Sequence, residues 1–162
     1  MSELRTNRIV PRDGLPSGSA GGIIQIKQVE THTQVENAFS SEQTFFTVSI
    51  TPTRTDSKIM VCVNCCGCGS RAQDTRWTMR IKRNGSYIKG VANYIGLKGE
   101  SGGEEYYPSC MFLDSPATTS AVTYTLHGDR TGGSSNCYFN HQDGTGATTQ
   151  GSSTMTLMEV SG

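Results

Sequence analysis

The stretch RWTMRIKRNGSYIKG, residues 76–90, decides the fold. Trp77, Met79 and Ile81 alternate with Arg76, Thr78, Arg80 and Lys82, the period of two expected of a strand with one buried face. Asn84-Gly85 follows, and a type I′ turn needs positive φ at both central residues, which Asn and Gly accept most readily. The segment reads as a β-hairpin.

The same alternation recurs on either side of it. TFFTVSI (44–50) puts Phe46, Val48 and Ile50 on one face. SKIMVCVN (57–64) puts Ile59, Val61 and Val63 on one face and Met60 and Cys62 on the other. IIQIKQV (23–29) alternates Ile24 and Ile26 with Gln25 and Lys27, which predicts a strand that buries its isoleucines. YYPSCMFLD, SAVTYTLHG, NCYFNH and STMTLMEV complete a set of roughly eight short runs bounded by Gly, Pro, Ser or Asp, the pattern of a sandwich or jelly roll. No strand–helix alternation points to a parallel sheet, and no repeat points to a solenoid. The expected fold is all-β, a single antiparallel β-sandwich of jelly-roll type.

Length and charge narrow the function. A chain of 162 residues suits one domain with an ordinary core. Fourteen basic side chains balance fourteen acidic ones, so no net field attracts nucleic acid or an anionic membrane. No apolar run reaches the ~18–20 residues of a membrane span. MSELRTNRIV lacks the apolar segment and cleavage site of a secretory signal, so folding in a cytosol is expected.

Residues 1–22 follow a different pattern from the rest. Leu4, Ile9, Val10 and Leu15 are scattered among Arg5, Arg8, Arg12 and Asp13, with Pro11 and Pro16 favouring extended backbone. GLPSGSAGG (14–22) then supplies a Gly/Ser hinge. Such a segment buries too little apolar surface to order itself in water. The expected division is an extended N-terminal arm over 1–22 and a β knob over 23–162. Leu4, Ile9, Val10 and Leu15 are the candidate apolar anchors of the arm, and Arg5, Arg8 and Arg12 the candidate partners for carboxylates.

The chemical signals are weaker. Cys62, Cys65, Cys66 and Cys68 crowd into VCVNCCGCGSR (61–71), and Cys62 and Cys65 have C-x-x-C spacing. Zinc sites separate two such pairs by a longer loop, and alternation sends Cys62 and Cys65 to opposite faces. Disulfides to Cys110 or Cys137 are a second alternative, but packing as small hydrophobes is the expected role. His32, His127 and His141 lie in no triad motif and are expected at the surface or at strand ends. Glu104 and Glu105 are adjacent, so in extended chain they point apart and suit a solvated loop better than joint acid–base work. The basic residues Arg76, Arg80, Lys82 and Arg83 are expected on the wet face of the hairpin, meeting an acidic neighbour. No catalytic constellation, metal site or cofactor is expected.

GGIIQIKQ (21–28), TVSITPTRTDSKIMV (47–61), MFLDSPATTSAVTYTL (111–126) and TMTLMEVSG (154–162) resemble a family of small phage virion proteins. These are tail fibre or structural proteins of phages of cyanobacteria and other aquatic bacteria. LRTNRIVPRDGLPSG (4–18) is similar to the family's N-terminal lead-in, and the pattern departs at VNCCGCGS (63–70) and NHQDGTGATTQG (140–151). The resemblance implies a non-enzymatic virion protein that assembles in the host cytoplasm as a homotrimer. Two roles follow. In the first, a capsid decoration (cement) protein grips the phage major capsid protein through its arm while the knob projects from the virion surface. In the second, a short tail fibre contacts a host-surface glycan through Tyr94, Tyr106, Tyr107 and Asp143. A glycan depolymerase is a third and poorer reading, since it needs two carboxylates ~5–9.5 Å apart in a groove.

Overall fold

The computed structural model describes residues 22–72, 74–96, 106–141 and 151–161. These residues form eleven strands. They are β1 (Ile23–Thr31), β2 (Val35–Asn37), β3 (Gln43–Ile50), β4 (Lys58–Asn64), β5 (Gly69–Ser70), β6 (Arg76–Arg83), β7 (Ser86–Gly96), β8 (Ser109–Asp114), β9 (Val122–Gly132), β10 (Cys137–Phe139) and β11 (Ser153–Val160).

Eight of these strands make two four-stranded antiparallel sheets, ordered β1-β11-β4-β8 and β3-β9-β6-β7. With the eight long strands β1, β3, β4, β6, β7, β8, β9 and β11 lettered B to I in chain order, these are the BIDG-like and CHEF-like sheets. Consecutive long strands alternate between the sheets except at the β6–β7 hairpin, which gives the two interlocked Greek keys of a jelly roll. The three short strands form a third sheet, β2-β10-β5, and account for the excess over eight.

The core lies between the two large sheets. From one come Ile59, Val61, Val63, Met155 and Leu157, and from the other Phe46, Val48, Ile50, Met79, Ile81, Val122 and Leu126. The alternation read in β3, β4 and β6 therefore places its residues correctly. An aromatic cluster fills the end near the small sheet. Phe45 stacks on Phe139 at 4.1 Å, and Phe39 meets Trp77 edge-on at 5.1 Å. The Trp77 indole N–H donates to the Gly69 carbonyl at 2.9 Å, so the large ring is buried without an orphaned donor.

The hairpin turn is as expected: Asn84 has φ 47° and Gly85 φ 84°. β1 is not as expected. A register shift between Ile23 and Gln25 turns the strand over, so Gln25 pairs with buried Glu159 and Ile26 is left 55% exposed on the outside. Phe45 also departs from strict alternation. A shift between Thr44 and Phe46 lets it join Phe46 in packing against the core.

Candidate interface and polar face

The two outer faces of the sandwich differ sharply in chemistry. On the BIDG-like sheet, the paired registers align side chains across all four strands. Ile26 lies opposite Met158, Met158 opposite Met60, and Met60 opposite Leu113. The next outward row runs Gln28, Thr156, Cys62 and Met111. Leu113 is 55% exposed and Met111 69% exposed. The inner neighbours of Met60, Cys62 and Met158 include the core residues Ile59, Val61, Val63 and Leu157, so the outer row is apolar in addition to, and not in place of, a buried face. Contiguous exposed apolar surface of this kind marks an interaction site more often than isolated exposed hydrophobes do.

The charged residues of this face sit at its ends. Lys58 lies beside Val160 at one end and donates to the Ser115 hydroxyl at 2.9 Å. Glu30 lies beside Thr154 at the other end, with the Ser152 hydroxyl donating to it.

The outer face of the CHEF-like sheet is polar. Thr44, Thr47, Ser49, Thr123 and Thr125 face outward there with Arg80, Lys82 and His127. Glu42 gathers this face together: it accepts from the Lys82 ammonium and the Tyr87 hydroxyl, and its carboxylate lies 3.1 Å from His127 Nδ1. The hydrogen bond from Lys82, with that from Tyr87, holds the Glu42 pKa below its ordinary value. Burial pushes the His127 pKa down, against the pull of Glu42. Thr125 Oγ1 stands 2.6 Å from His127 Nε2, so a hydroxyl, an imidazole and a carboxylate follow one another. The same carboxylate is held by Lys82 and Tyr87, so these contacts form a network that fixes the sheet surface. They bear out an acidic neighbour for the basic hairpin.

Arg83 points the other way, into the seam between the sheets. Its guanidinium binds both Asp114 oxygens at 2.8 Å, and the buried Tyr124 hydroxyl donates to the same carboxylate at 2.6 Å. The wet-face expectation holds for Lys82 and fails for Arg83, because β6 alternates and Arg83 falls on the Ile81 side.

Other expected residues fall as follows. His32 is exposed and His141 follows the end of β10, as expected, but His127 and His141 are buried, at 9% and 7% exposure, with Thr44 of β3 against His127 and Arg71, just past β5, against His141. Cys65, Cys68 and Cys137 are buried and Cys62, Cys66 and Cys110 half-buried, with no disulfide among the six. No group of His, Cys, Asp and Glu among the described residues is arranged to hold a metal. Tyr106 donates to the Gly96 carbonyl at 2.8 Å, and Tyr107 is 63% exposed. Tyr94 is described only by its backbone in β7, and Asp143, Glu104, Glu105 and the arm residues Leu4, Arg5, Arg8, Ile9, Val10, Arg12 and Leu15 lie outside the described residues. Sequence reading finds a second apolar face at Met60, beside Val61, but not the row across four strands. Its signal was present in Ile26, Met60, Leu113 and Met158, but only strand pairing brings those four into line.

No family model matches the chain. No curated protein matches it either. Among solved structures, that of infectious bursal disease virus Gx strain is similar, with 12% identity and a TM-score of 0.43 over 97% of this chain and 43% of that one. The chain thus spans less than half the length of that viral chain, and a likeness this loose carries no argument about function.

Proposed function

We propose that the chain is a non-enzymatic virion structural protein, a capsid decoration protein whose N-terminal arm grips the major capsid protein and whose β knob, assembled from several copies, projects outward. The observation that carries this reading is the jelly-roll strand order, a fold that builds viral capsid and lectin domains. It is joined by the resemblance of the chain's sequence to small phage virion proteins, and the step from fold to role is one of analogy. A segment that orders only on contact spreads its area over neighbouring subunits, and linked copies gain avidity through effective concentration. The exposed Tyr107, next to the start of β8, favours the second reading, a tail fibre that stacks an aromatic ring on a host-surface glycan.

Quantitative gel analysis of whole virions separates the two. Decoration requires hundreds of copies per particle, on the order of the capsid lattice sites, and a handful of copies would sink it. Replacing Ile9, Val10 and Leu15 together by Ser in the full chain should abolish co-sedimentation with capsids while leaving the knob folded.

A further inference from the structure

We infer that the outer face of the BIDG-like sheet is the surface through which copies of this chain associate, with the apolar row of one copy laid over the apolar row of the next. This is a pairwise contact separate from the homotrimer that the resemblance implies; it stands on the sheet geometry and survives if the capsid reading fails.

The argument starts from register. Ile26, Met158, Met60 and Leu113 form one row perpendicular to the strands, and Cys62 and Met111 extend it towards the next. A two-fold axis parallel to the strands reverses strand order and keeps each row in place. Ile26 of one copy then meets Leu113 of the other, and Met158 meets Met60, so every contact in the row joins apolar to apolar. In the same arrangement Lys58 falls over Val160 and Glu30 over Ser109, so no like charges oppose one another. A face whose charges stand only at its ends can be covered by its own copy without leaving a charge buried and unpaired.

Methionine suits such a contact because its unbranched, polarisable side chain adapts to an imperfect partner surface. Two sheets pack face to face ~10 Å apart with their strand directions within about 30° of each other. Four strands at ~4.8 Å spacing and six paired positions at ~3.4 Å give a footprint of about 400 Å² measured flat. That is about half the ~800 Å² per partner of a standard interface, so the contact is concentration-dependent and reversible when it acts alone.

The test is sedimentation velocity of the full chain from about 1 to 500 µM, comparing wild type with I26E/L113E and with T47E on the opposite, polar face. Both substituted sites are solvent-exposed, and circular dichroism verifies that each variant folds. The expected result is self-association in wild type and T47E, and a dissociation constant raised at least 100-fold in I26E/L113E. Unchanged association of I26E/L113E would overturn the inference, since the copies would then meet elsewhere. A wild-type monomer at every concentration would overturn it too. If Cys62 in that monomer were also shielded from a thiol reagent, as mapped by peptide mass spectrometry, the chain's own residues 1–21 would be the occupant instead.

Discussion

Replacing Glu159 by Gln probes how the chain crosses from one sheet to the other. Glu159 is fully buried on the inner side of β11. One carboxylate oxygen accepts from the Thr53 N–H and the Thr53 hydroxyl, each at 2.7 Å. The other accepts from the Gln25 amide at 2.6 Å, and that amide also donates to the Thr51 carbonyl at 2.7 Å. Residues 51–57 carry the chain from β3 in one sheet to β4 in the other, so this one carboxylate pins the crossing to β11 and to its neighbour β1. Hydrogen bonds to a charged group contribute roughly 1.5–3 kcal/mol each, and a buried donor left without its acceptor costs about 1–3 kcal/mol. In E159Q one of the two oxygens becomes an NH₂ facing a donor, and the remaining bonds lose their charge. We expect a loss of about 3 kcal/mol, which for a chain of 162 residues lowers Tm by roughly 6–12 °C. The assay is urea and thermal unfolding followed by fluorescence of Trp77, the single tryptophan.

The acid limb carries a second signature. Burial pushes the Glu159 pKa up, but the hydrogen bonds from Gln25 and Thr53 outweigh it and hold the pKa below the ordinary value. A carboxylate depressed in the folded state stabilises the protein fully above its unfolded pKa of about 4.3. That contribution is lost as pH falls through the lower, folded value. The gap between wild type and E159Q should therefore be constant near neutrality and shrink in acid below about pH 4. Equal midpoints at pH 7, or a gap that stays the same down to pH 3, would refute the reasoning.

Two further predictions concern the loop and the thiols. A Cβ on Gly67 would lie 1.5 Å from the His141 carbonyl oxygen at φ +51°, so Gly67→Ala should cost about 4 kcal/mol or leave the chain insoluble. Gly85→Ala, at φ +84° but in open space, should cost only about 1 kcal/mol by the same urea assay, and equal effects would show that strain and not the clash governs both. Burial pushes the Cys137 pKa up to about 11 and raises that of Cys68 as well. At pH 8 a thiol reagent followed by peptide mass spectrometry should modify half-buried Cys62 well before Cys68 and Cys137, and equal rates would contradict the described packing.

The class of fold and the inward faces of its main strands could be read from the sequence alone. Alternation with a period of two is a local property, and the Asn84-Gly85 turn depends only on which residues tolerate positive φ. The opposed character of the outer faces was decided by tertiary structure, because a row across four strands is composed of residues far apart in the chain. Met60 and Met158 become neighbours only when β11 pairs with β4. A single register shift in β1 likewise turned Ile26 outward, because a slip of one residue moves every following side chain to the other face. The buried state of His127 and the inward course of Arg83 belong to the same class. Thr125 beside His127 is a local partner, but Glu42 and Thr44 for His127, and Asp114 for Arg83, are brought up from distant parts of the chain. The sequence thus determined a jelly-roll-like sandwich with a polar hairpin, and the pairing of its strands decided which surface is left apolar.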